Sequence, residues 1–283
     1  MNTSGNPWET PGGNPDDTTE DPEEIHDFVC DLARRAGALQ LSRYENPGKV
    51  REKGPKDLVT EVDLLCEELM VGAIRERYPH DAILSEEQGG EISKEGRTWL
   101  LDPVDGTANY ARANPMFCAC VSVLEEDAVT HAAVAAPRIG DLYHARLGGG
   151  AYLDSRGESA PLHVSETERL EDALFGADLS FLGDLSVPSG KIDLRALLTA
   201  TWQFRALGSA GVRGAWVAAG YLDLSIGTRN TAWDYAPTVL LVSEAGGRAT
   251  DLSGEPWTQA SDGLLATNGA LHDEALEILT TRS

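Results

Sequence analysis

A chain of 283 residues with 41% hydrophobic and 24% charged side chains can build one large domain or two tightly joined halves, and it has the balance of a soluble globule. Its formal charge of −23 argues against a nucleic-acid binder, which needs a basic stripe. No apolar run approaches the roughly 18–20 residues that cross a bilayer, and the N-terminus lacks the basic-then-apolar order of an export signal, so a cytoplasmic location without membrane contact is expected.

Residues 1–21 are rich in Gly, Pro, Asn, Asp and Thr without an apolar period, and read as an acidic disordered tail. Order is expected from the Asp21-Pro22 step, an N-cap followed by proline at the first helical position. Ile25, Phe28, Val29, Leu32 and Ala36 then share one face of an amphipathic helix. The polar segment from Gly48 to Lys56 reads as a mobile loop. Leu65, Leu69, Val71 and Ile74 mark a second helix, ending before Tyr78-Pro79.

Short apolar runs bounded by turn formers follow, and read as strands: 82–85, 98–101, 116–124 and 129–136. Ile139-Gly140-Asp141 reads as a hairpin turn into 142–146, and Gly148-Gly149-Gly150 turns the chain before 151–153. From about residue 160 strand alternates with helix: strands at 174–178 and 222–226, helices near 212–219, 235–245 and 272–279. The order predicts layered helices and sheets, with an N-terminal subdomain over 22–160 and a C-terminal one over 161–283. Of the four cysteines, Cys118 and Cys120 share one face of a strand and read as buried thiols, since no matching Cys/His pair follows.

The most specific segment is Trp99-Leu100-Leu101-Asp102-Pro103-Val104-Asp105-Gly106-Thr107. An apolar strand ends in Asp102, and Asp105 precedes Gly-Thr at a helix start. Carboxylates at this spacing can turn toward one point and offer hard oxygen ligands to Mg²⁺, with the Val104 carbonyl between them. Gly106 permits close backbone approach, and the N–H groups of Gly106 and Thr107 favour a phosphate oxygen. The alternative is an Asp-Pro turn followed by an N-capping Asp.

DLVTEVD at 57–63, SEE at 85–87, WDYA at 233–236 and EAGG at 244–247 accompany DPVDGT at 102–107. Taken singly, the carboxylates of the first three read as a helix cap, a solvated strand end and another helix cap. In this order, from about residue 25 to 280, the set resembles the inositol monophosphatase family, the lithium-sensitive phosphatases. The resemblance implies an α-β-α-β-α layered sandwich, a homodimer, and hydrolysis of a small phosphorylated polyol or sugar by a metal-activated water. It implies two or three Mg²⁺ per site: one held by Glu86, Asp102 and the Val104 carbonyl, a second by Asp102, Asp105 and Asp234, with Glu86 facing a weaker third. Thr107, bonded to Asp63, would orient the attacking water, with Glu86 as a further catalytic group. Asp105, Gly106, Thr107, Ser209, Ala210 and Asp234 would meet the substrate, under a mobile segment carrying Lys53.

Three departures bear on substrate. Where many inositol-specific relatives carry a Glu seven residues before the W-D aspartate, this chain has Gly227, leaving Arg229 or Asn230 as substitutes. Pro237 replaces a small residue after the W-D motif, a position read as the first helical turn. Ala108 stands where 3′-phosphoadenosine phosphatases usually place a Lys. Inositol 1-phosphate is the leading expected substrate, with fructose 1,6-bisphosphate and histidinol phosphate as rivals and a non-catalytic metal-binding homologue as the reading of another class.

Overall fold

The computed structural model describes residues 21–54, 57–177, 186–187, 190–192, 194–228 and 231–280. Except for Asp21, the expected tail lies outside the described residues, as do Arg229 and Asn230.

Helix α1 (Pro22–Ser42) starts as its sequence dictates: the Glu23 N–H donates to the Asp21 carboxylate at 3.0 Å, Pro22 opens the first turn, and Glu23 and Glu24 face the positive end of the helix. Helix α2 (Glu61–Arg77) is entered through a capping box, in which Thr60 caps the helix and the Asp63 carboxylate returns to the Thr60 N–H. Between them the structure corrects the expected loop. Strands β1 (Val50–Gly54) and β2 (Asp57–Thr60) form an antiparallel hairpin with Val50 opposite Thr60. Val50 to Lys53 are all exposed, so backbone bonds rather than burial make this strand, and no apolar alternation announces it.

The first sheet uses β3 (Ala82–Ser85), β4 (Gly89–Gly90), β5 (Arg97–Asp105), β6 (Cys118–Glu125), β7 (Ala128–Ala136), β8 (Asp141–Arg146), β9 (Gly150–Ser155) and β10 (Glu158–Pro161), with the one-turn helix α3 (Thr107–Tyr110) after β5. Its order is β10-β9-β8-β7-β6-β5-β3-β4. From β5 to β10 it is an antiparallel meander, and only β3 runs parallel to its neighbour β5.

The second half contributes β11 (Leu174–Ala177), the small pair β12 (Ser186–Val187) and β13 (Gly190–Lys191), α4 (Leu194–Ala200), β14 (Gln203–Arg205), α5 (Ala210–Ala218), β15 (Leu224–Gly227), α6 (Ala232–Glu244), β16 (Arg248–Thr250), β17 (Leu264–Thr267) and α7 (His272–Thr280). Its sheet runs β14-β11-β15-β17-β16. Helix α6 begins three residues earlier than its periodicity suggests. Pro237 is therefore its sixth residue, inside the helix rather than in the first turn, and its missing N–H withdraws a bond from the Trp233 carbonyl.

Alternation along the strands explains the layering. Phe117, just before β6, and Ala119, Val121 and Val123 on it face the core shared with α1 and α2, while Cys118 and Cys120 face the core shared with α5 and α6. On β17, Leu264 and Ala266 turn to α5 and α6, and Leu265 to α4 and α7. Three cores thus bind five layers, α-β-α-β-α, the layered sandwich expected from the sequence. In the first core Leu32, Met70, Ile74, Trp99 and Tyr110 are fully buried, each contributing about 1.5–3 kcal/mol from its apolar surface.

Candidate active site

Asp102 and Asp105 are three residues apart, an odd spacing that would place them on opposite faces of a regular strand. A β-bulge prevents this. Asp102 lies opposite Cys120 and Asp105 opposite Cys118, so Pro103 and Val104 face only Ala119. The extra residue turns Asp105 to the side of Asp102. The bulge is tied locally, since the Val104 N–H donates to Asp102 Oδ1 at 3.0 Å.

Asp105 is gripped from the other half of the molecule. The N–H groups of Ala210 and Gly211, opening α5, donate to its two oxygens at 3.1 and 2.7 Å, and the Ser209 hydroxyl donates at 2.5 Å. Ser209 also caps α5 by accepting from the Val212 N–H at 3.2 Å. Behind Asp105 lie the thiols of Cys118 and Cys120, 3.7 Å apart, both fully buried.

Gly106 follows with φ +90°, and a Cβ there would sit 2.9 Å from the Met116 carbonyl oxygen. This sharp, left-handed step carries the chain into α3 and sets Thr107 over the site. The Thr107 hydroxyl lies 2.9 Å from the Val104 carbonyl oxygen and 3.1 Å from Asp63 Oδ1. Asp63 is fixed by the Thr60 N–H at 2.9 Å and by the Thr60 hydroxyl.

Glu86 opens the turn after β3, its N–H bonded to the Leu101 carbonyl at 3.2 Å. Its carboxylate accepts from Lys53 Nζ at 2.9 Å, and Glu87 accepts from the same ammonium at 2.6 Å. Lys53 thus brings the β1–β2 hairpin to the rim. Asp234, in the first turn of α6, accepts from the Thr231 hydroxyl.

These groups line a cavity of about 390 Å³ formed by Lys53, Glu86, Asp102, Val104, Asp105, Gly106, Thr107, Thr231, Trp233 and Asp234. Burial, reinforced by Glu86 and Asp234, holds the Asp102 carboxyl well above the usual range. Burial and the Asp105 charge push Asp234 up to about 7, burial raises Glu86, and burial pushes Asp63 up to about 6. Oxygens of Asp102, Asp105 and Asp234 lie within 4.8 Å of one another. At the rim the Lys53 ammonium pairs with both Glu86 and Glu87. Crowded, buried carboxylates with all-oxygen donors suit hard divalent cations, which would supply the missing countercharge.

Of the residues singled out from sequence, Glu86, Asp102, Val104, Asp105, Gly106, Thr107 and Asp234 line this cavity, and Asp63 stands behind Thr107. Ser209 and Ala210 do not line it; they hold Asp105 from behind, with Ser209 buried. Gly227 is also away from it, buried at the end of β15, where a Cβ would meet the Tyr235 hydroxyl oxygen at 2.3 Å. A side chain there requires the Tyr235 ring to move, and Gly227 is not among the residues that line the cavity. Sequence reading missed Glu67, whose buried carboxylate accepts from the Ser85 hydroxyl and from the Glu87 and Gln88 N–H groups at 3.1 and 3.0 Å. A glutamate on the apolar face of α2, four residues after Asp63, was the available signal. Thr231 was missed as well.

Five layers enclosing a carboxylate cavity with a threonine–aspartate pair define a class of metal-dependent phosphatase. A family model described as the inositol monophosphatase family matches residues 21–282. A Thermotoga maritima protein named fructose-1,6-bisphosphatase/inositol-1-monophosphatase is 32% identical over 256 residues, covering 89% of this chain and 94% of its own length. The Nus factor SuhB of Pseudomonas aeruginosa is 36% identical over 230 residues, covering 78% and 83%. The solved Thermotoga maritima IMPase superposes with a TM-score of 0.79 at 31% identity, covering 90% of this chain and 96% of that one. The chain belongs to the inositol monophosphatase family, and so to the phosphoric monoester hydrolases.

Proposed function

We propose that this chain hydrolyses a small sugar or polyol monophosphate, inositol 1-phosphate foremost, with Mg²⁺ as cofactor. The observation that carries the reading is the convergence of Asp102, Asp105 and Asp234 beneath the Thr107–Asp63 pair. Glu86, Asp102 and the Val104 carbonyl would hold one cation, and Asp102, Asp105 and Asp234 a second, with Glu86 facing a weaker third. When bound, such cations neutralise phosphate charge, acidify a water and stabilise the leaving alkoxide.

The rest falls to the chain. The Thr107 hydroxyl has one proton and two acceptors in reach, Val104 and Asp63. Engaging the Val104 carbonyl elsewhere directs that proton to Asp63 and leaves the Thr107 lone pairs to accept one from the attacking water. Asp63, buried but ionised above pH 6, is the base: it takes the Thr107 hydroxyl proton as Thr107 takes one from the water. The N–H groups of Gly106 and Thr107 orient the phosphate, and Trp233 and Thr231 bound the space left for the alcohol.

The test is release of inorganic phosphate from a panel of inositol 1-phosphate, fructose 1,6-bisphosphate, histidinol phosphate, 3′-phosphoadenosine phosphate and glycerol phosphate, with and without Mg²⁺. Turnover confined to the Mg²⁺ arm and highest on a polyol or sugar ester is expected. No release from any compound by folded, Mg²⁺-saturated protein would overturn the reading.

A further inference from the structure

A second group of ligand atoms lies outside this cavity, where α1 packs against β7 and β8. His26 and Cys30 are four residues apart on α1 and so share one helical face. His144 projects from β8 toward them, on the sheet face that also carries Ala133, Ala135 and Leu142 under α1. His26 Nε2 lies 2.9 Å from His144 Nδ1, and Cys30 Sγ lies 3.7 Å from His26 Nε2. All three ligand atoms fall within 4.8 Å of one another.

These spacings have the scale of tetrahedral edges. Bonds of about 2.0–2.1 Å to nitrogen and 2.3 Å to sulfur put neighbouring ligands about 3.3–3.6 Å apart. The surroundings suit ligation too. His144 Nε2 lies 3.4 Å from Asp154 Oδ1, so a proton on Nε2 faces a carboxylate and Nδ1 keeps its lone pair for the cluster. The nearby guanidinium groups are already engaged, Arg34 by Asp154 and Arg146 by Glu23 at 2.6 Å. Cys30 is buried while the His144 side chain is 13% exposed, which leaves an approach from solvent on the β8 side.

We propose that His26, Cys30 and His144 form a site for a borderline divalent cation such as Zn²⁺, with Asp154 orienting His144 and a fourth position open. Nitrogen and thiolate donors distinguish it from the all-oxygen catalytic cavity, and occupation ties the start of α1 to β8.

The test titrates Co²⁺ into the Mg²⁺-saturated full chain and follows absorbance. A sulfur-to-cobalt charge-transfer band saturating at one equivalent is expected. It should vanish in Cys30→Ser, bind at least tenfold more weakly in His144→Gln, and persist in Cys118→Ala, whose thiol lies beside Asp105. Circular dichroism checks the fold of each variant, and His144→Gln carries the test if Cys30→Ser does not fold. A wild-type chain without the band would overturn the proposal, showing that the two rings merely share a hydrogen bond. So would a band that survives Cys30→Ser and disappears in Cys118→Ala.

Discussion

Asp63 is a buried carboxylate that the fold keeps ionisable at neutral pH by three hydrogen bonds, two from Thr60 and one from Thr107. Burial outweighs them and lifts its pKa from the model-peptide value of 3.8 to about 6. A raised carboxylate favours the folded state below its unfolded value, and that contribution is lost as pH climbs through 6. Asp234, raised to about 7, adds in the same direction. The cation-free protein is therefore expected to melt higher at pH 5 than at pH 8, the change falling mostly between pH 4 and 7. Activity runs the opposite way: kcat/KM should rise with pH through about 6 as Asp63 ionises, and Asp63→Asn should remove that limb. A profile unchanged by the substitution would exclude Asp63 as the base. Asp102, common to both proposed cation positions, makes a sharper test. Asp102→Asn should cut kcat by far more than tenfold, a barrier rise above about 1.4 kcal/mol, with an unchanged circular dichroism spectrum.

The turn that presents Glu86 has no apolar anchor of its own; it hangs on Glu67 of α2, which satisfies one hydroxyl and two backbone N–H groups. Glu67→Ala leaves these donors unpaired, and a loss of about 3 kcal/mol is expected in urea unfolding, with a higher Mg²⁺ requirement in the surviving folded protein. A stability change within about 0.5 kcal/mol would show that water replaces the carboxylate. The same elements show where sequence suffices. Helices α1 and α2 declare themselves by a buried face that repeats every third to fourth residue, and strands β5, β6 and β7 by continuous apolar runs, because both of their faces are covered. The β1–β2 hairpin buries almost nothing and has no period to read. The bulge at Pro103 and Val104 is invisible for another reason: two aspartates three apart are compatible with a turn, a cap or a bulge, and only pairing to Cys118 and Cys120 selects among them. The packing of Gly227 on Tyr235 is equally hidden, because counting along the chain cannot show what fills the space beside it.

For the whole molecule, a formal charge of −23 repels itself, and the carboxylate cavity concentrates part of that repulsion. Raising NaCl from 0.01 to 0.1 M shortens the screening length from about 30 to about 10 Å and should stabilise the chain generally. Mg²⁺ should do more at equal ionic strength. At a hundred times its dissociation constant it adds about 2.7 kcal/mol, a rise in Tm of about 5 °C or more, and Asp102→Asn should abolish only this extra part. Equal shifts from NaCl and MgCl₂ would mean that the cavity holds no specific ion. Among the described residues no helix is long and apolar enough to cross a membrane.

The grip of α5 on Asp105 also has a temporal side. A ribosome makes this chain from its N-terminal side, and residues 82–161 supply all eight strands of the first sheet together with Glu86, Asp102 and Asp105. Such a nascent half lacks the amides of Ala210 and Gly211 that clamp Asp105, and it lacks Asp234. Three carboxylates stand together on its sheet with no helix terminus to share their charge. Without Asp234 the unfinished protein is expected to hold a cation less tightly than the finished one, and the full set of ligands waits until α6 has left the exit tunnel and docked.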